Sequence, residues 1–110
     1  MIAKRAVLMN ETITGPSTVN GDSLDVMHFN LLAVAFNIAT GGTLAGTCKI
    51  QWSNDNVNWV DVPSATATLS TTTPLIIKAT GIATAFIRPV VVGTSGTSTI
   101  TAIAIVKGTS

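Results

Sequence analysis

The feature that most constrains this chain is a period of two. Between residues 44 and 52, Leu44, Gly46, Cys48, Ile50 and Trp52 alternate with Ala45, Thr47, Lys49 and Gln51. That is the pattern of a strand buried on one face. Shorter alternating runs recur along the chain, each bounded by Gly, Pro, Asn, Asp or Ser. No 11-residue window carries a clean helical stripe. Thr, Ala, Val and Ile dominate, and the β-branched residues among them favour a pleated backbone over a helix.

Residues 3–9 read as a first strand, and Thr14-Gly15-Pro16-Ser17 and Asn20-Gly21-Asp22 as turns. Residues 23–39 read as one long run, with a bend or bulge near His28 to Asn30 as the place where it would split. Both parities are apolar from Phe29 onward, which suits a central strand covered on both sides. Gly41-Gly42 turns the chain into the run at 44–52, Ser53-Asn54-Asp55-Asn56 makes a hairpin turn, and 57–62 returns to Pro63. Runs at 65–69, 75–80, 85–92 and 98–107 complete the set, with a polar turn at Ser70-Thr71-Thr72-Thr73-Pro74. Pro89 has no N–H to donate, which puts its strand at a sheet edge or at a bulge. Seven to eight short antiparallel strands at intervals of roughly ten residues define an all-β fold. The expectation is one β-sandwich of jelly-roll type spanning residues 1–110.

Composition then excludes several functions. Charged residues are 10% of the chain, against about 25% in an ordinary globular protein. Hydrophobic residues reach 46%, mean hydropathy is +0.53 and the formal net charge is +1, which is not the composition of a disordered chain. There is no basic patch to neutralise phosphates, so nucleic acid is not an expected partner. One cysteine precludes a disulfide within the chain, and Cys48 with His28 falls short of a four-ligand zinc site. Lys4 and Arg5 precede an apolar run, Ala6-Val7-Leu8-Met9, that is too short for a secretory core. The longest apolar run, 31–36, is too short for a membrane span. With so few charges to cover its exterior, the domain is expected to bury surface against other subunits.

Few residues offer chemistry. His28 and Cys48 lie on different predicted strands, and nothing local pairs them as base and nucleophile. The acids Glu11, Asp22, Asp25, Asp55 and Asp61 are scattered. Asn54-Asp55-Asn56-Val57-Asn58 places oxygen donors at alternate positions, but Gly at the sixth position and Glu at the twelfth of a calcium loop are missing. Turn capping is the stronger reading. The glycines make no phosphate-binding loop. Arg88 could bind a sugar or an acidic partner, against pairing with Asp61 or Asp55 or stacking on Trp59. Trp52 and Trp59 could line a sugar platform if exposed, against packing across the hairpin. Arg88, Trp52 and Trp59 are therefore the candidate surface contacts, and no catalytic residue, metal site or cofactor is expected.

The stretch Lys49-Ile50-Gln51-Trp52-Ser53-Asn54-Asp55-Asn56-Val57-Asn58-Trp59-Val60-Asp61-Val62 resembles a hairpin that recurs in β-sandwich modules. Ala85-Phe86-Ile87-Arg88-Pro89-Val90-Val91 is similar to the aromatic-hydrophobic-Arg strand that follows it in those modules. The pattern departs at Asn56, where glycine is commoner, and at Pro89. It is shared by discoidin-like galactose-binding modules and by small bacteriophage virion structural proteins, and this chain looks more like the second group. That resemblance implies a non-enzymatic capsid coat, decoration or tail protein located in the virion. Its partners would be itself, as a trimer or larger homo-oligomer, and other virion proteins, with no small-molecule substrate. Edge strands such as 98–107 could extend the pairing between subunits. The alternative is a carbohydrate-binding or adhesion module.

Overall fold

The computed structural model describes residues 2–27, 29–39, 41–69, 75–80 and 84–108. His28 and the predicted turn at 70–74 lie outside the described residues. The strands are β1 (Ile2–Thr14), β2 (Ser17–Asn20), β3 (Leu24–Asp25), β4 (Leu31–Ile38), β5 (Ala45–Ser53), β6 (Val60–Thr68), β7 (Leu75–Thr80), β8 (Phe86–Ser95) and β9 (Thr97–Gly108). They form two antiparallel sheets, one ordered β1-β9-β4-β7 and the other β2-β8-β5-β6, with β3 also paired to β8.

The topology is a rolled hairpin. The β5–β6 hairpin is its tip, and β4–β7, β2/β3–β8 and β1–β9 are successive rungs leading away from it. Rolling brings β9 beside β4 and β8 beside β5, which closes the two sheets over one core. This is the jelly-roll arrangement. Nine strands are distinct, or eight if β2 and β3 are counted as one strand broken at Gly21–Ser23.

The core follows the alternation. Phe36, Val34, Ile100, Ala102 and Val106 of the first sheet meet Cys48, Ile50, Ile87 and Val91 of the second, all at 1% exposure or less. Full burial of each Val, Ile or Phe side chain among them contributes about 1.5–3 kcal/mol.

The 23–39 run splits across the expected bend into β3 and β4, which lie in opposite sheets because the chain crosses between layers after Val26. Three expectations change with the tertiary structure. The far parity of β4 is not covered on both sides: Leu31 is exposed, and Ala33 and Ala35 are half-buried. Pro89 lies in a central strand, β8. Its carbonyl accepts from Gly21 N–H at 2.8 Å, so its missing donor faces the gap where β2 gives way to β3. The 98–107 run is β9, central between β1 and β4, and offers no edge. In addition, the runs at 57–62 and 65–69 merge into β6, which passes Pro63 and Ser64 (φ 60°) at a register shift against β5.

Candidate functional site

The sequence candidates gather around the β5–β6 hairpin. Ser53 and Asp55 build its turn through side-chain bonds to the backbone. Ser53 Oγ accepts from Asp55 N–H and Asn56 N–H at 3.2 and 3.0 Å. Asp55 Oδ1 accepts from Val57 N–H and Asn58 N–H at 2.9 and 2.8 Å, and the Asn58 amide donates to Oδ2 at 2.6 Å. Asn56 supplies the left-handed residue at φ 62°, the position where glycine is commoner; Asn tolerates it. The Asn58 and Val57 amides, with the Asn58 side chain and the Ser53 hydroxyl, hold the Asp55 carboxyl well below the usual carboxylate range. All of this is turn construction and leaves Asp55 little ligating capacity.

The turn delivers Trp59 to the outer face of the five-stranded sheet. Arg88 of β8 lies in register with Gln51 of β5, and Gln51 with Asp61 of β6. The Arg88 guanidinium stacks on the Trp59 ring at 4.4 Å from its centroid. It also donates through Nε and Nη2 to Gln51 Oε1 at 3.0 and 2.8 Å. The Gln51 amide donates in turn to Asp61 at 2.9 Å, and Lys49 pairs with the same carboxylate at 3.2 Å. Desolvation lowers the Arg88 pKa from its ordinary value; the Gln51 amide first, then Lys49, lowers that of Asp61. The result is a ladder of polar groups across three strands, roofed at one end by an indole.

Trp52 has the opposite parity and packs against the core. The two tryptophans therefore sit on opposite faces of one sheet and do not form a common platform. Trp59 and Arg88 are brought together; Arg88 pairs with neither Asp61 nor Asp55 among the described residues. The outer edge of Trp52 lines a depression of about 360 Å³ with Asn54, Asn58, Val60 and Thr84, and Thr84 Oγ1 is buried there without a hydrogen-bond partner among the described residues. Sequence reasoning missed Gln51 and Thr84. Gln51 was legible as the outward neighbour of Lys49 in the alternating run, whereas Thr84 reaches the hairpin only through the fold.

Cys48 is fully buried, and desolvation pushes its thiol up to about 11. That is the environment of an inert packing residue. Among the described residues no three His, Cys, Asp or Glu side chains converge as a metal site.

No protein-family model and no curated protein matches this sequence. Solved structures do match in fold. The PBSX exported protein XepA superposes with a TM-score of 0.76 at 12% identity, over 97% of this chain and 38% of its own. The SPBc2 prophage-derived protein YomS gives 0.57 at 16% identity, covering 96% of each chain. A subunit of the disulfide-linked pili that form Bacillus endospore appendages gives 0.58 at 14% identity, covering 99% of this chain and 88% of its own. This chain thus spans well under half of XepA and nearly all of YomS. At these identities the likeness is one of fold, and what it establishes is a β-sandwich domain that an exported protein, a prophage-derived protein and an endospore-appendage subunit also use.

Proposed function

We propose that this chain is a non-enzymatic structural subunit of a phage virion, a capsid coat or decoration protein or a tail component, held in place by contacts between subunits. The observation that carries the reading is the outer face of the four-stranded sheet. There Val7, Ile103, Ala35 and Ile76 stand in register across all four strands. The next row pairs Ile105 with Ala33 between Arg5 and Lys78. Val7 and Ile76 are 52% and 62% exposed. A sheet that faces water on one side normally alternates apolar-in with polar-out. This one presents aliphatic residues outward, as a protein–protein contact does.

The architecture supports the reading, since jelly rolls serve in viral capsids and in lectins. So do the prophage origin of YomS, which this chain matches over 96% of its length, and the assembly of the appendage subunits into pili. The partners are further copies, in a trimer or larger homo-oligomer, and other virion proteins; nucleic acid and small-molecule substrates have no part. Quantitative peptide mass spectrometry on purified particles tests it. A copy number equal to that of the main coat protein, or a simple fraction of it, identifies a coat or decoration protein. A handful of copies identifies a tail component, and absence from the particle removes the reading.

The depression beside Trp52, with two asparagines and a buried threonine hydroxyl that has no partner among the described residues, favours a second reading as a carbohydrate-binding or adhesion module, with Arg88 and Trp59 as a neighbouring surface contact. Tryptophan emission that is unchanged across a glycan panel would eliminate it.

A further inference from the structure

The apolar sheet face holds a groove of about 300 Å³. Leu31, Ala33 and Ile105 line it, and Lys78 and Lys107 flank it from the strands on either side of β4. Of the six Lys and Arg residues, Lys49 is paired with Asp61 and Arg88 is bound to Gln51 and Trp59. The other four, Lys4, Arg5, Lys78 and Lys107, all belong to the four-stranded sheet.

Among the described residues, no acid lines that groove. Asp61 and Asp55 are committed to Lys49 and to the hairpin. Glu11 and Asp22 line one depression between β1 and β2, and Asp25 follows in β3. Immediately beyond stands Met27, 67% exposed, on a turn whose N–H is capped by Asp25 at 3.0 Å. The chain therefore carries a methionine knob two residues beyond Asp25 and a lysine-flanked apolar groove.

We propose that copies of this chain associate by seating Met27 of one copy in the Leu31–Ala33–Ile105 groove of another, with Asp22 and Asp25 against Lys78 and Lys107. This rests on the reading of the chain as a self-assembling subunit and names the contact. Groove-to-groove pairing would set lysines against lysines, which is unfavourable. Knob-to-groove pairing neutralises both surfaces and buries exposed apolar area on each. Methionine, unbranched and polarizable, fits a shallow irregular groove better than a β-branched side chain.

Sedimentation velocity on the full chain at about 50 µM tests the contact. The wild-type chain is expected to sediment at twice its 11.3 kDa mass or more. Lys78→Glu with Lys107→Glu, and separately Asp22→Lys with Asp25→Lys, should each weaken association at least about tenfold. The four-substitution swap should restore it, while far-UV circular dichroism verifies the fold of each variant. A monomeric wild-type chain overturns the proposal. So does loss that the swap does not rescue. An oligomer indifferent to all these substitutions overturns this contact and leaves the virion reading standing.

Discussion

The Asp55 carboxylate accepts two backbone amides, the Asn58 side chain and the Ser53 hydroxyl, all within 2.9 Å. These donors stabilise the ionised form, so the folded pKa lies below the unfolded one. The stability it lends is complete above the unfolded carboxylate range near pH 4 and is lost as pH falls through the folded value. Asp55→Ala should therefore flatten the acid limb of the melting temperature measured from pH 5 to pH 2, leaving the smaller contribution of Asp61, whose pKa is lowered in the same direction. Cys48 has the opposite displacement. Its thiol, pushed up to about 11 by burial, should not react with a thiol reagent at pH 8 until the chain unfolds. Cys48→Ser, which sets a hydroxyl in the apolar core, should lower the denaturant midpoint by an amount equivalent to about 1–3 kcal/mol.

At the scale of elements, the sheets are held in relation by a few bonds outside the ladders. Leu8 is the extra residue of a bulge in β1, and its carbonyl accepts from Asp22 N–H at 2.7 Å, which ties β1 to the broken β2/β3 strand. Buried Ser98 on β9 accepts from Leu44 N–H at 3.0 Å and fixes the entry to β5. Ser98→Ala leaves that amide unsatisfied and should cost about 1–3 kcal/mol in equilibrium unfolding. Gly46 is more sensitive. At φ +148° it sits where a side chain would strike the Val92 carbonyl, so Gly46→Ala should destabilise by about 2–4 kcal/mol.

At the scale of the whole molecule, one core is shared by two sheets whose strands interleave in sequence. Neither sheet can form without segments from both ends of the chain, so unfolding should be a single event. Both tryptophans report on the hairpin end of the five-stranded sheet, whereas far-UV circular dichroism reports on both sheets. The two denaturation curves should superimpose, and their midpoint should rise with protein concentration because association favours the folded form. Separate transitions by the two probes would disprove the shared core.

The alternation was enough, by itself, to mark β5, β7, β8 and β9, the turn at Ser53–Asn56 and an all-β sandwich, because a strand's period and a turn's capping are local properties of a few adjacent residues. Three things needed the tertiary structure. Whether Pro89 lay at an edge depended on a gap in a partner strand some seventy residues away in sequence. Whether Trp52 and Trp59 shared a face depended on how the hairpin loop carried the second across the sheet. Whether the second apolar parity of β4 was covered depended on what packs over the sheet: among the described residues nothing buries it fully, so Leu31 stands exposed and Ala33 and Ala35 half-buried where the pattern read as doubly covered core. Period records which residues share a face; only long-range ladders decide what that face meets.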